Sequence, residues 1–183
     1  MDRCELWTIG HSKHPLERFL ELLQQHQIAA LVDIRRFPGS RTFPQFNQDS
    51  LAAALQTAGI EYHWIEPLGG RRSASKLNLP STNTGLHNAS FRHYADYMQT
   101  AAFSEGIDEL LSIAAAKRTA YMCSESVFWR CHRRLVSDFL LAAGHVVQHI
   151  FPNGVVRPHA LTAGAVVRGT GVTYPGQQML FDT

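Results

Sequence analysis

Short apolar runs alternate with helical spacing along the chain. Leu6-Trp7-Thr8-Ile9-Gly10 is an apolar run that ends at a glycine, and Ser12 followed by Pro15 suits the first turn of a helix. Leu16, Phe19, Leu20 and Leu23 recur at a spacing that buries one helical face, and near Gln27 the pattern gives way to a second apolar run, Ile28 to Ile34. Asn47 is placed to cap a helix whose Leu51, Ala54, Leu55 and Ala58 face the core. Gly59 ends it, and Ile60 to Ile65 begins a third strand. Two helical segments follow at about 90 to 100 and 104 to 117, the second with Ser104 as its expected cap. Thr119 to Met122 reads as a fourth strand, Cys131 to Ala143 as a helix closed by Gly144, and His145 to Phe151 as a fifth strand. This rhythm predicts an α/β fold, a single three-layer, Rossmann-like domain with a mostly parallel sheet of about five strands and helices on both faces.

Two segments break the rhythm. Residues 67 to 89, PLGGRRSASKLNLPSTNTGLHNA, form a long Gly-, Pro- and Ser-rich connection that reads as a lid or as disorder. Residues 152 to 183 read as a glycine- and proline-containing segment packed loosely over the domain, with a strand at Gly154 to Val156; the domain is taken to cover 1–162 and a tail 163–183.

A length of 183 residues suits one domain, and no apolar run approaches the roughly 20 residues that a membrane span needs. The N-terminus lacks a secretory pattern, and three cysteines is an odd count. The expectation is therefore a soluble, cytoplasmic protein without disulfides or a membrane partner. A net charge of +2 excludes nucleic-acid binding by bulk charge, so local clusters must carry any anion chemistry.

In open parallel sheets, ligands bind beyond the carboxyl ends of the strands, where loops meet positive helix N-termini. That rule selects His11 and Ser12 after the first strand, Arg35 and Arg36 after the second, Gly69, Gly70 and Arg71 after the third, and Cys123, Ser124 and Glu125 after the fourth. Stepping back one turn from Leu135 and Val136 turns Cys131 and His132 inward. Arg133 and Arg134 sit in the same first turn, where the helix dipole disfavours cations, so a compensating anion is expected. It is either an external ligand or an internal carboxylate, with Arg134 facing Asp138 and Glu125 facing Arg130 or Arg133.

Cys123 has three readings. It is a nucleophile or redox-active thiol with Glu125 and His11 as proton-transfer groups, a metal ligand with Cys131, His132 and His11, or a buried small hydrophobe. Seven residues separate the two cysteines, wider than structural zinc spacing. Asp33, inside a buried strand, needs a partner and reads as a site organiser. Arg35, Arg36 and Arg41 interleave with Phe37, Phe43 and Phe46, which suits gripping a phosphate while stacking on a ring.

With TIGHS at 8–12, LVDIRRFPGSRTFPQFN at 31–47, LGGRR at 68–72 and MCSESVFWRCHRRLVSDFLL at 122–141, the chain resembles the DUF488 family over about residues 6 to 162. The resemblance implies a compact α/β fold with these motifs at one sheet edge. It also implies a Cys, a Glu two residues on and a Cys-His-Arg before the last helix, here Cys123, Glu125, Cys131, His132 and Arg133; it brings no established reaction. The intervening SVFW is more apolar than the family's Asp-Pro type of turn.

The functional expectation is an enzyme acting on a phosphorylated or otherwise anionic substrate, with a nucleotide or a nucleic-acid strand as candidates and no cofactor. In it Cys123, Glu125 and His11 are catalytic, and Ser12, Arg35, Arg36, Gly69, Gly70, Arg71, Cys131, His132 and Arg133 bind the anion. The alternatives are a non-catalytic nucleotide- or nucleic-acid-binding module and a metal-dependent hydrolase with Cys123, Cys131 and His132 as ligands. Gln177-Gln178-Met179-Leu180-Phe181 also fits a short peptide type that docks on the replication sliding clamp.

Overall fold

The strands at the centre of the molecule are buried on both faces, as a parallel sheet covered by helices requires. The computed structural model describes residues 3–73 and 80–176. In chain order its elements are β1 (Glu5–Gly10), α1 (Leu16–Gln25), β2 (Ala30–Asp33), α2 (Gln48–Thr57), β3 (Glu61–Trp64), α3 (Ala89–Tyr97), α4 (Ala101–Ala116), β4 (Thr119–Cys123), α5 (Arg133–Ala142) and β5 (Val146–Ile150). Three short strands follow, β6 (Val156–Pro158), β7 (Val166–Arg168) and β8 (Gly171–Thr173). The six-stranded sheet runs β3-β2-β4-β1-β5-β6, parallel except for β6, and β7 pairs with β8 as a hairpin.

Alternation along each strand divides the core in two. Leu6, Val32, Tyr121 and Val147 face one way, onto Tyr94 of α3, Phe103 and Leu110 of α4, and Leu135 and Leu140 of α5. Trp7, Ile9, Leu31, Ala120 and Met122 face the other way, onto Phe19, Leu22 and Leu23 of α1 and Leu51 and Leu55 of α2. The result is the expected three-layer α/β fold. It also fixes where a ligand can enter. β4 lies between β1 and β2, whose following helices cover one face, while α5, which follows β4, covers the other. Adjacent loops therefore diverge at the carboxyl end of β4 and leave a crevice there.

Several local expectations shift. The fourth helix starts at Ala101, not at Ser104, because the Thr100 side chain accepts from the Phe103 amide at 3.3 Å. Asn47 precedes α2, but its side-chain oxygen accepts from Ser40 N–H at 2.7 Å and so ties the preceding loop instead of capping the helix. The last helix starts at Arg133, since a 3-10 turn at Phe128–Arg130 and an extended Cys131 (φ −138, ψ 173) precede it. The strand expected at 154–156 forms at Val156–Pro158. The segment after it is held firmly: Tyr174 is buried, its hydroxyl donating to Asp138 at 2.7 Å and its amide to Asn83 at 2.9 Å. Residues 74–79 of the expected lid, and the whole of Gln177 to Phe181, lie outside the described residues.

Gly10, paired with Cys123 across the β1–β4 ladder, is required by a close approach. A Cβ at this position would stand 1.7 Å from the Glu125 carbonyl oxygen and 2.9 Å from Nη2 of Arg133. We expect Gly10→Ala to cost about 2–3 kcal/mol of stability, the range of an overpacked core site, in urea unfolding. An unchanged midpoint would show that the 124–126 turn can move away without penalty.

Candidate active site

Each strand end delivers one part of a single pocket. A cavity of about 670 Å³ opens at the carboxyl end of the sheet, within the size range of sites for small ligands. It is lined by His11 and Ser12 from the β1 loop, Arg35 and Arg36 from the β2 loop, Gly70 and Arg71 from the β3 loop, and Cys123, Glu125, Cys131 and His132 around the β4–α5 turn. Two cations not singled out from the sequence as ligands, Lys13 and Arg130, also reach it, so that five basic side chains face one carboxylate, Glu125. Arg36 is braced by the Arg71 carbonyl (2.8 Å) and Glu66 (3.4 Å) and stands 5.4 Å from the ring of Phe37, which is 64% exposed. Among the described residues, the side chains of Lys13, Arg71 and Arg130 enter no ion pair.

Glycine makes the walls close. A Cβ on Gly69 would meet the Arg36 backbone at 2.7 Å, and one on Gly70 would meet Nδ1 of His132 at 2.7 Å. Gly69 is thus a spacer behind the wall, and it does not line the cavity. Arg72 is structural as well, bonded to the carbonyls of Gly69 and Glu66 and stacked 4.1 Å over Tyr97.

Asp33 does organise one side of the site. Fully buried, it takes Nε and Nη2 of Arg35 at 2.9 and 2.6 Å, the Arg35 amide at 3.0 Å and the Tyr62 hydroxyl at 2.8 Å. Arg35 is therefore neutralised from behind. Next to it, His11 stacks on Phe46 at 4.3 Å and donates from Nδ1 to the Ser12 carbonyl at 3.0 Å, with Nε2 turned to Arg35 Nη1 at 3.5 Å. Burial, helped by the Arg35 charge, pushes the His11 pKa down to about 4. The ring is thus neutral near pH 7 and lies against the Arg35 guanidinium.

The floor is a thiol pair on a buried cation. The sulfurs of Cys123 and Cys131 are 2.7 Å apart, near enough to share a proton. Nε of Arg133 donates to them at 3.2 and 3.3 Å, Nη1 to Thr8 Oγ1 at 3.2 Å, and Nη2 to the Glu125 carbonyl at 2.6 Å. Arg133 is 1% exposed and does not line the cavity, so it cannot clamp a ligand as expected; its donors are spent beneath the thiols. None of its hydrogen bonds goes to a carboxylate, and a buried guanidinium needs an anion. Among the described residues, the groups bonded to its side chain that can ionise are the two thiols. Burial works against the Cys131 thiolate, but the bond from Cys123 and the charge of Arg133 outweigh it, and its pKa falls well below the usual thiol range. Burial and the same partner drive Cys123 well above that range. Cys131 is also slightly more exposed than Cys123 (7% against 2%), and both sulfurs line the cavity.

His132 donates from Nε2 to the Ile34 carbonyl at 2.8 Å, and burial lowers its pKa, so the ring is neutral. With Cys123 and Cys131 it forms a trio whose ligand atoms lie within 4.8 Å of one another, a set that could hold a soft cation. The guanidinium on both sulfurs already supplies the positive charge there.

A second layer was invisible in the sequence. His159 Nε2 donates to Asp138 at 2.8 Å, His149 Nε2 faces His159 Nδ1 at 2.9 Å, and Thr8 Oγ1 faces His149 Nδ1 at 2.7 Å. Asp138 only accepts and Arg133 only donates. A chain of hydrogen bonds therefore links Arg133 through Thr8, His149 and His159 to Asp138. Burial pushes His149 down to about 2, consistent with a neutral ring, and Phe128 stacks flat on it at 3.6 Å. The expected Arg134–Asp138 pair does not form; Arg134 instead donates to Thr162 at 2.7 Å.

These observations define a class, an α/β protein with a cysteine–arginine pocket at the switch point of its sheet. The chain belongs to DUF488, described as a domain of unknown function, whose family model matches residues 15–140. The match takes in the 31–47 and 68–72 motifs and all but the last residue of 122–141, while TIGHS lies before it. No curated protein and no solved structure matches the chain.

Two outcomes are expected. Alkylation of Cys131 in a Cys4→Ser background stays at its plateau rate well below the ordinary thiol pKa of about 8.5, and Cys123→Ala raises the midpoint of its pH profile. A midpoint at the ordinary value would mean that Arg133 holds no thiolate. The buried histidines also make the fold acid-sensitive. The unfolded chain protonates near 6.5 while His11 resists to about 4 and His149 to about 2, so stability is full above pH ~6.5 and falls as pH drops. The loss approaches roughly 3 kcal/mol from His11 alone by about pH 4. Urea midpoints unchanged over that window would show that these rings take protons freely.

Proposed function

We propose that this DUF488 protein is an enzyme acting on a phosphorylated or otherwise anionic substrate, with the Cys131 thiolate as its nucleophile. The observation that carries the reading is the buried Arg133 guanidinium bonded to both sulfurs, on the floor of a cavity whose rim is cationic. The rim cations Arg36, Arg71, Arg130 and Lys13 hold the anionic group, while an electrophilic atom attached to it reaches the floor. Cys131 attacks, Cys123 keeps or returns the shared proton, and the Glu125 carboxyl is the one acid in the cavity able to serve the leaving group. Phe37, exposed beside Arg36, offers a face for a planar ring, which favours a nucleotide among anionic candidates.

A second reading is favoured by the Cys123–Cys131–His132 trio: a bound cation with an open position, and metal-assisted hydrolysis. We rank it second because Arg133 would stand against that cation in a buried site.

The test is protection of Cys131 from a neutral alkylating reagent. Inorganic phosphate, sulfate and nucleoside monophosphates should slow labelling, and Arg71→Ala should weaken that protection about tenfold, the value of one charged hydrogen bond. Labelling indifferent to all these anions removes the anion reading. Stoichiometric zinc in the purified protein, lost with His132→Ala, replaces it with the metal reading.

A further inference from the structure

We propose that Cys131 and Cys123 react with hydroperoxides as a dithiol pair and close to a reversible disulfide. Three features carry this. The two sulfurs are adjacent, one at the end of β4 and the other on the extended residue before α5. Arg133 Nε touches both, so it can hold negative charge on whichever sulfur carries it. Both cysteines line the cavity, so a molecule as small as hydrogen peroxide can reach them. The third cysteine, Cys4, lies at the opposite end of β1 and cannot join the exchange.

The chemistry balances with a hydroperoxide as the only co-reactant. The Cys131 thiolate attacks one peroxide oxygen, the O–O bond breaks, and a sulfenic acid forms as hydroxide leaves. The proton shared with Cys123 goes to that hydroxide, giving water and leaving a Cys123 thiolate on Arg133. Cys123 then attacks the Cys131 sulfur; the S–S bond forms, the S–O bond breaks, and the departing hydroxide takes a proton from solvent as the second water. Two thiols are oxidised and one peroxide is reduced. Closing the bond removes the only anionic partner that Arg133 has among the described residues, and a buried unpaired cation is costly. The disulfide is therefore poised for re-reduction by a dithiol, which suits a switch and not a structural staple. While it is closed, Cys131 is not a nucleophile. This consequence rests on the reading under Proposed function, whereas the oxidation itself does not.

The experiment uses the full chain carrying Cys4→Ser, reduced, then exposed to one equivalent of hydrogen peroxide and quenched with an alkylating reagent. Intact mass and peptide mapping should show both thiols lost together, a bond between the peptides bearing residues 123 and 131, and full recovery with dithiothreitol. The reaction should run at least about tenfold faster than with free cysteine at the same pH. Cys123→Ser should stop it at a sulfenic acid on Cys131 that dimedone captures. A rate no faster than free cysteine, thiols lost independently, or direct passage to sulfinic acid overturns the proposal. Phosphate protection, measured on the same reduced sample, separates the two ideas. Protection without a disulfide removes only the redox pair, and a disulfide without protection removes only the anionic-substrate reading.

Discussion

A guanidinium sealed inside a protein without a carboxylate is the constraint on which this structure turns. Arg133 is almost fully enclosed, and its partners are two sulfurs, one hydroxyl and one peptide carbonyl. Desolvating a cation costs several kcal/mol unless an anion compensates, so the site has to supply one. Among the described residues, the only ionisable groups bonded to its side chain are thiols. The same side chain also shapes the loop, since its bond to the Glu125 carbonyl draws the 124–126 turn against β1, and Gly10 leaves the room for that approach. Charge compensation, thiol activation and loop geometry are thus one event.

The pocket's other buried arginine makes the opposite arrangement instructive. Arg35 is neutralised by Asp33, with Tyr62 as a third member, and so keeps its position whatever enters the cavity. Around these two partnered cations the rim carries Lys13, Arg71 and Arg130, which among the described residues enter no ion pair. The rim thus carries cations without a carboxylate partner, whereas the cation at the floor is bonded to two thiols. The charges are therefore layered, with the unpaired cations outside and the partnered ones beneath them.

Much of this frame was legible in the sequence. The strands, the order of their apolar runs and the placing of reactive residues at strand ends follow from local periodicity and the switch-point rule. Depth was not legible. A helical repeat shows which face Arg133 occupies but not that the neighbouring loops enclose it, and so it read as a clamp. Local pairing misled in the same way. Arg134 and Asp138 stand one turn apart, yet Asp138 is claimed by His159, Tyr174 and the Thr162 amide from distant parts of the chain. The relay from Thr8 to Asp138 joins β1, β5, α5 and the residue after β6, and no sequence spacing connects these. Cys131 was placed inside a helix because its apolar neighbours fit; the extended residue that frees its sulfur toward Cys123 comes from the 3-10 turn of Phe128–Arg130.

The rim inherits its geometry from α3, which has no reactive residue of its own. Tyr94 donates to the Leu68 carbonyl at 2.6 Å and Tyr97 to the Pro67 carbonyl at 2.8 Å, which fixes the start of the segment that carries Gly70 and Arg71. Asp96, on the same helix, takes Ser81 and Asn83 at 2.6 and 2.7 Å and fixes its return. Tyr94 also packs its ring 5.2 Å from that of His132, the residue that follows Cys131. One helix therefore holds both shoulders of the 67-to-89 connection and touches the residue next to the reactive sulfur. The positions of Arg71 and of His132 are referred to the same rigid element. Arg71 of the rim and Cys131 of the floor are built to a common frame, although they lie more than fifty positions apart in the chain.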